Sequence, residues 1–302
     1  MTKNYYKAFG LSIESEIICP ELLYSEQKKN VDVKIKYTNL PDELVNPMHK
    51  AVRFQAKPNE FLLNVDNVAK FHIKNGNQIS IEPIKRDIED RDIRLFLLGS
   101  AFGALLHQRE LLPLHSSAVQ VGDSCVLFCG ISGAGKSTTA NTLLKKGYKL
   151  HSDDISVVDI DGNGQPFVYA GYPQQKLWED TLLRNNEDLE KYHKVRKVLK
   201  KYSVPVHDNF TKKLLPLKKI YVLSYHNNSS VEMIDVIGMK KFNVLKNQTY
   251  RFNFTEGLEN RGSHFKISGE ICNKIPISFL QRPNGVDSVA EIAEILERDF
   301  LL

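Results

Sequence analysis

The chain has 302 residues, of which 42% are hydrophobic and 25% charged, and it carries a formal net charge of +5. These values are typical of a soluble globular protein with one large domain or one medium and one small domain. The mild positive charge does not by itself indicate a nucleic-acid partner. The four cysteines form no Cys-x-x-Cys pair, which argues against a zinc site and suits a reducing cytosol.

The chain opens without a basic, apolar leader, so we expect no signal peptide. Its most apolar run, Leu95 to Leu106, has twelve residues, fewer than the roughly 20 that span a bilayer. Gly99 and Gly103 in this run form a small-xxx-small pair, which favours tight helix packing in a protein core. We therefore expect a cytoplasmic protein that does not contact a membrane.

The first part of the chain, residues 1–86, reads as a small β-rich domain. The strings "LSIESEII", "VDVKIKYT" and "NEFLLNV" have the alternating or apolar pattern of strands. Asn75-Gly76 predicts a hairpin turn within "AKFHIKNGNQISIEP". From Asp87 to Glu110 the apolar spacing becomes helical.

The second part, residues 87–302, reads as an α/β domain. The predicted strands "SSAVQV" and "SCVLFC" flank a turn at Gly122-Asp123, and a helix follows that ends at Gly147. Further strands are expected at "IYVLSY" and "VEMIDVI", a basic helical stretch at about 180–201, and a final helix at about 287–300.

The string "GISGAGKS" fits the phosphate-binding pattern G-x-x-x-x-G-K-[ST], with a predicted strand before it and a helix after it. In such a loop the backbone amides hold phosphate oxygens, the lysine reaches the β- and γ-phosphates, and the hydroxyl after it binds Mg²⁺. The nucleotide-binding residues predicted here are Gly130, Ser132, Gly133, Ala134, Gly135, Lys136, Ser137 and Thr138.

Two adjacent carboxylates, Asp153 and Asp154, follow the loop lysine by only seventeen and eighteen residues. A strand–helix–strand unit with a right-handed crossover would place the loop and the acidic pair at the same edge of a parallel sheet, where ligands bind. A kinase needs one carboxylate near its metal and a base for the acceptor hydroxyl. The pair can fill both roles, although an acidic turn without function remains an alternative.

Taken together, "GISGAGKS", "GYKLHSDD" and "LHSSAV" resemble the HPr kinase/phosphorylase superfamily, whose nucleotide site is similar to that of phosphoenolpyruvate carboxykinases. The resemblance implies a P-loop kinase core that uses ATP and Mg²⁺. It further implies that Asp153 acts as the base, that Asp154 and Ser137 bind the metal, and that His115 orients the acceptor or phosphate. The roles of the two aspartates could be exchanged.

The sequence departs from the bacterial HPr kinases at Thr138, where they usually have Glu, and in the form of their C-terminal signature. It is more similar to the HPr-kinase-related serine kinases of peptide-modification gene clusters, including the lasso-peptide kinases, with "YKAFGLSIESEI", "LLGSAFGALLHQRELLPLHSSAV" and "YPQQKLW". In those kinases the acceptor is the C-terminal serine of a precursor peptide. Lys176 and Trp178 of "YPQQKLW" are candidates to frame the acceptor or meet phosphate oxygens, and simple packing is the alternative.

We therefore expect an ATP-dependent serine kinase that acts on a peptide or small protein, without nucleic acid and with a homo-oligomer possible. The alternatives are a kinase of free serine or another small alcohol, an HPr-type protein kinase, and a protein that uses nucleotide only as a switch. Three arginines, Arg251, Arg261 and Arg282, are candidates to assist phosphoryl transfer, and the sequence does not choose among them.

Overall fold

The computed structural model describes residues 3–26, 30–259 and 261–301. The chain divides into two compact units, one made of Met1–Pro113 and Thr249–Lys266, the other of Leu114–Gln248 and Ile267–Leu302. Each unit combines helices with a mixed sheet, so the protein belongs to the mixed α/β class.

The first unit is built on a sheet whose strands are joined mainly by tight turns, with helical turns after the last strand. Its strands are β1 (Asn4–Ala8), β2 (Leu11–Ser15), β3 (Leu23–Tyr24), β4 (Val33–Tyr37), β5 (His49–Lys50), β6 (Phe54–Lys57), β7 (Glu60–Val65), β8 (Ala69–Lys74) and β9 (Gln78–Pro83). Its helical elements are α1 (Asp90–Phe96), a π-helical turn (Leu97–Ala101), α2 (Phe102–Gln108) and, in the returning segment, a 3₁₀ turn (Phe252–Thr255).

The strand order of this sheet is β3-β1-β2-β4-β9-β8-β7-β6-β5. Strand β4 runs parallel to both β2 and β9, and the other neighbours are antiparallel. The predicted hairpin between β8 and β9 is confirmed, because Asn75 and Gly76 both have positive φ. The apolar side chains that alternate along these strands, such as Phe61, Phe71 and Ile79, are fully buried.

The helices at residues 90–108 belong to the first unit, whereas the sequence-based division places them with the second. Helix α2 packs on β8, and Gln108 anchors it there. The Gln108 amide donates to the carbonyl of Ile73 at 3.1 Å and its oxygen accepts from the Gly76 amide at 2.9 Å. The helical pattern is visible in the sequence, but these cross-element contacts are not, and they determine which unit the helices join.

The second unit contains a mixed sheet, a smaller three-stranded sheet and most of the longer helices. The strands are β10 (Leu112–Leu114, of which only Leu114 belongs to this unit), β11 (Ser116–Val121), β12 (Ser124–Cys129), β13 (Lys149–Ser152), β14 (Ser156–Ile160), β15 (Pro166–Tyr169), β16 (Gln174–Trp178), β17 (His193–Lys194), β18 (Lys201–Pro205), β19 (Leu215–His226), β20 (Glu232–Asp235) and β21 (Ile277–Pro283). The helices are α3 (Lys136–Lys145), α4 (Glu179–Arg184), α5 (Lys240–Gln248), α6 (Arg261–Lys274, of which the residues after Lys266 belong to this unit) and α7 (Val289–Phe300), with 3₁₀ turns at Leu189–Lys191 and His207–Asn209.

In the mixed sheet of this unit the order β14-β15-β19-β12-β11-β13 continues from β19 to β21 and β20. Strands β12, β19 and β21 are parallel to one another. Strand β13 has the same direction as β12, but the antiparallel strand β11 lies between them. The expected strand–helix–strand unit is therefore present with one strand inserted, and β12 and β13 still end at the same edge of the sheet.

The predicted helix at about 180–201 is wrong beyond Arg184, the last residue of α4. The chain then runs through a 3₁₀ turn into β17 and β18, which pair with β16 in the three-stranded sheet. Leu177, Leu182, Tyr202 and Val204 form a small buried cluster there, on which Leu189 and Tyr192 pack. Packing on this cluster, rather than the local sequence pattern, decides the structure of the lysine-rich segment.

Among residues 3–26, 30–259 and 261–301, no helix has both the length and the apolar character that crossing a membrane requires. Within the apolar run, the residues from Leu97 to Leu106 are buried in the first unit.

Candidate active site

The glycine-rich loop connects the end of β12 to the start of α3, as the motif predicts. Its three glycines have φ values of 138° (Gly130), 87° (Gly133) and 103° (Gly135), which side-chain-bearing residues rarely adopt. A Cβ at Gly130 would also lie 2.6 Å from the carbonyl oxygen of Leu223. Glycine is therefore needed at these positions, and the loop leads directly into a helix N-terminus, which favours anions.

Lys136, the first residue of α3, is buried beneath the loop. Its Nζ donates to the carbonyl oxygens of Gly130 at 2.8 Å and Ile131 at 3.1 Å. Burial lowers the pKa of Lys136, and the nearby thiol of Cys129 and carboxylate of Asp153 oppose this shift. The lysine is held by two neutral carbonyl groups, which an anionic phosphate oxygen can replace as partners at an electrostatic gain.

Asp153, which directly follows β13, accepts hydrogen bonds at both carboxylate oxygens. Its Oδ1 accepts from the hydroxyls of Ser117 at 2.5 Å and Ser137 at 2.9 Å, and its Oδ2 accepts from the backbone amide of Lys176 at 2.8 Å. Ser117 is on β11, the strand inserted between β12 and β13. The Asp153 carboxylate is thus held next to the loop hydroxyl that the motif assigns to the metal.

Asp154 has different partners from its neighbour. Its Oδ2 lies 2.6 Å from the Nζ of Lys176, and its Oδ1 lies 3.5 Å from the Nδ1 of His115. Burial acts to raise the pKa of Asp154, but the positive charge of Lys176 and the imidazole of His115 outweigh it and hold that pKa well below its usual range. Asp154 is therefore ionised at neutral pH.

His115 lies between β10 and β11 and faces the same site. Its Nδ1 is 3.0 Å from the carbonyl oxygen of Asp154, which can only accept, so the neutral ring carries its proton on Nδ1 and its lone pair on Nε2. Burial and the charge of Lys136 lower the pKa of His115, while Asp154 opposes the shift. The imidazole is therefore neutral at neutral pH.

These groups surround one cavity of about 120 Å³. Most of the residues predicted from sequence line it, and Trp178 and Lys201 reach it from the three-stranded sheet. The lining residues are His115, Ser132, Gly133, Gly135, Lys136, Ser137, Thr138, Asp153, Asp154, Trp178 and Lys201.

Three of the predicted site residues do not line this cavity. Gly130 and Ala134 shape the loop backbone, where the amide of Gly130 donates to the side chain of Gln248 at 2.9 Å. Lys176 binds the two aspartates instead, with its amide on Asp153 and its Nζ on Asp154. Its predicted contact with nucleotide therefore gains no support from the geometry.

Sequence reasoning considered Lys201 only as part of the basic stretch at about 180–201, and it missed Ser117 as a site residue. Lys201 is opposite Trp178 in the β16–β18 pairing and its Nζ lies 5.5 Å from the indole centre. The wrong helical prediction for this segment concealed that position. Ser117 reaches Asp153 only because β11 is inserted between two strands that the sequence suggested were neighbours, and no local pattern signals this insertion.

The oxygen groups at this site fit Mg²⁺ better than a transition metal. Within the described residues, no cluster of three or more His, Cys, Asp or Glu side chains could hold a metal by protein ligands alone. Mg²⁺ is usually bound by one or two carboxylates together with waters and substrate phosphates. The hydroxyl of Ser137 and the carboxylate of Asp153 share a hydrogen bond. Together they are protein ligands of the type that such a Mg²⁺ site uses.

The fold and site define a mixed α/β protein with a glycine-rich loop, a lysine and two carboxylates around one cavity. No protein-family model matches the sequence, and no curated protein matches it. Among solved structures, the HPr(Ser) kinase/phosphatase from Coxiella burnetii is similar at 12% sequence identity and a TM-score of 0.32, over 62% of this chain and 94% of that chain. A likeness at this level assigns the chain to no family, and we base the functional proposal on the site itself.

Proposed function

We propose that this protein is a Mg²⁺- and ATP-dependent kinase that phosphorylates a serine hydroxyl of a peptide or small protein. The observation that supports it most is the placement of an anion-binding loop and two differently bonded carboxylates around one cavity. A protein that only binds nucleotide has no need for the second carboxylate and its histidine. Kinases of this kind work mainly by positioning the reactants and neutralising phosphate charge.

In this proposal the loop amides and Lys136 bind the triphosphate, and Ser137 with Asp153 would hold Mg²⁺, which supplies charge neutralisation at the phosphate oxygens. The hydrogen bond from Ser137 to Asp153 supports this pairing over one with Asp154. The roles suggested by the resemblance are therefore exchanged, with Asp153 on the metal side and Asp154 on the acceptor side.

Asp154 and His115 would orient the acceptor hydroxyl. As the hydroxyl oxygen bonds to the γ-phosphorus, the bond from that phosphorus to the β–γ bridging oxygen breaks, ADP leaves, and the hydroxyl proton passes to the Asp154 carboxylate. The ionised state of Asp154 is the state that can accept a proton. A weakly basic carboxylate suffices, because the transition state is loose and catalysis rests mainly on positioning and charge stabilisation.

For the acceptor, we propose the C-terminal serine of a ribosomal precursor peptide of the lasso type, on the resemblance of residues 99–178. The use of ATP and four unpaired cysteines support a cytoplasmic location.

The test is mass spectrometry of the protein mixed with Mg·ATP and candidate peptides that end in serine. We expect a gain of phosphate on the peptide and a loss of about 10²–10³-fold in turnover for Lys136→Met, because the lysine stabilises developing charge. Asp159→Asn, a carboxylate change on β14 outside the cavity, should retain activity. ADP release that depends on free serine or another small alcohol, without peptide modification, would favour the small-molecule kinase.

The assignment of Asp153 to the metal and Asp154 to the acceptor is tested separately, by measuring how activity depends on Mg²⁺ concentration. Asp153→Asn should raise the Mg²⁺ concentration needed for half-maximal activity, whereas Asp154→Asn should lower kcat even at saturating Mg²⁺. The opposite pattern would restore Asp153 as the base.

A further inference from the structure

Two side chains that the proposed mechanism does not use lie beside the glycine-rich loop. Strands β12, β19 and β21 are parallel, so their carboxyl ends meet at the same edge of the sheet, where ligands bind in open α/β sheets. Tyr225, near the end of β19, and Arg282, near the end of β21, are register partners at this edge.

The two side chains form a stacked pair that touches the loop. The Arg282 Nη2 donates to the Tyr225 hydroxyl at 2.5 Å, and the Arg282 Cζ lies 4.6 Å from the centre of the Tyr225 ring. The Tyr225 hydroxyl in turn donates to the carbonyl oxygen of Gly133 at 3.0 Å. A Cβ on Gly135 would lie 3.4 Å from the Arg282 Nη2. The guanidinium is thus fixed against the residues that precede Lys136.

The charge of Arg282 is poorly compensated by these contacts. A neutral phenol accepts one of its hydrogen bonds, and its Nε is buried without a hydrogen-bond partner in the part of the chain that the structure describes. Buried or half-buried charges in proteins are normally paired. A cation held next to an anion-binding loop fits an anionic ligand as its missing partner.

The geometry points to Arg282 as a phosphate-binding residue, positioned by Tyr225 to bind an oxygen of the nucleotide phosphates held by the loop. This inference rests on the proposed binding of nucleotide and adds a residue to it. It also separates the three arginines that the sequence left open. The guanidinium of Arg251 lies over the rings of Tyr250 and Phe254, and Arg261 is exposed at the start of α6, whereas Arg282 contacts the loop.

The experiment compares binding of Mg·ATP, Mg·ADP and adenosine by the wild-type protein and by Arg282→Met, with calorimetry for the nucleotides and ligand-observed NMR for adenosine. We expect Arg282→Met to weaken Mg·ATP binding by about 10- to 100-fold, the value of a charge-assisted hydrogen bond. Adenosine binding should not change. Arg282→Lys, which keeps the charge, should recover part of the loss. Arg298→Met, an exposed arginine on α7, is the matched control.

Unchanged Mg·ATP affinity in Arg282→Met would overturn the inference. So would an equal loss for adenosine and Mg·ATP, because it would show a structural rather than a charge effect. If the wild-type protein binds no Mg·ATP, both the inference and the proposed function fail. If Mg·ATP binding depends on Arg282 but no hydroxyl is phosphorylated, Arg282 stands as a phosphate-binding residue and only the kinase proposal fails.

Discussion

Asp153 and Asp154 are adjacent in the sequence, and the backbone between them sends their carboxylates to different neighbours. Asp154 has a φ of 72°, in the left-handed region that Asp tolerates better than most residues. The turn leaves Asp153 bonded to Ser137 of the loop helix and Asp154 paired with Lys176. Two identical side chains can therefore serve the metal side and the acceptor side of one reaction.

At the residue scale, Ser117→Ala tests how Asp153 is held. The variant removes a buried donor that lies 2.5 Å from the Asp153 Oδ1. Groups that orient a metal-binding carboxylate are worth about 10- to 100-fold in metal affinity. We expect the Mg²⁺ concentration for half-maximal activity to rise about 10-fold, measured by titrating Mg²⁺ at saturating ATP.

The matched control is Ser116→Ala, the neighbouring buried serine, whose hydroxyl lies 3.5 Å from the carbonyl oxygen of Leu114 instead. If Ser117→Ala needs no more Mg²⁺ than Ser116→Ala, the Ser117 hydroxyl does not position a metal-binding carboxylate.

The loop and the acidic pair could be predicted from sequence because their chemistry is local. The loop glycines, Lys136 and Ser137 all lie in the short motif "GISGAGKS". The two aspartates lie in a second short string, "GYKLHSDD". Ser117 and Arg282 are brought near the loop and the acidic pair by strand pairings that join distant parts of the chain. A single sequence contains no direct signal for such pairings. Arg282 could therefore be named only as one of three candidate arginines, and Ser117 was not identified.

At the scale of elements, Gly99 and Gly103 show how an apolar helical run is fitted into the first unit. The sequence predicted tight helix packing there, and the tight contact is with an aromatic ring rather than with a second helix. A Cβ at Gly103 would lie 2.9 Å from the Cε1 of Tyr250, and one at Gly99 would lie 3.3 Å from its hydroxyl. The His107 Nε2 bonds to the Tyr250 carbonyl at 2.8 Å, which fixes the backbone of that residue.

We expect Gly103→Ala to destabilise the protein by about 1–2 kcal/mol in urea unfolding. Alanine is favoured over glycine in a helix by about 1 kcal/mol, but overpacking a core costs about 1–3 kcal/mol, and the buried ring of Tyr250 leaves little room for relaxation. Gly269→Ala in α6 is the control, because nothing lies within 4 Å of its added Cβ. That variant should stabilise by about 0.5–1 kcal/mol. If Gly103→Ala stabilised the protein as much as Gly269→Ala, the aromatic ring of Tyr250 would have to move aside freely.

Strand and helix positions were predicted best where the pattern was strongly periodic. The alternating segment that forms β4 and the helix α7 appear close to their predicted bounds. The segment after α4 was predicted as part of a basic helical stretch, and its structure is decided by packing on the cluster of Leu177 and Tyr202. Tertiary contacts of this kind override weak local preference.

At the scale of the whole molecule, each unit buries histidines that are neutral in the folded state. Burial and the charge of His264 lower the pKa of His107 to about 3, and burial lowers that of His264 to about 4 in the first unit. Burial lowers the pKa of His151 to about 4 in the second unit. In the unfolded chain a histidine has a pKa of about 6.5. Below that pH the unfolded state binds more protons than the folded state, so the stability of both units decreases.

His151 allows this effect to be measured in one unit. Its Nε2 lies 2.8 Å from the carbonyl oxygen of Lys213, and its buried Nδ1 has no hydrogen-bond partner within the described residues. The fold therefore has no group placed to stabilise a second ring proton. Trp178, the only tryptophan in the sequence, belongs to the same unit and reports its unfolding by fluorescence.

We expect His151 to lower the unfolding free energy of the second unit by about 2 kcal/mol between pH 7 and pH 5, from the difference between a pKa of about 4 and one of about 6.5. The loss begins as pH falls through the unfolded value and levels off below the folded one. Urea unfolding of His151→Gln, whose amide can keep the bond to the Lys213 carbonyl, should show a pH dependence weaker by that amount. His193→Gln, at an exposed position in β17, should keep the wild-type dependence. An unchanged pH dependence in His151→Gln would mean that the buried imidazole takes up its proton without unfolding, although the described residues offer its Nδ1 no hydrogen-bond partner.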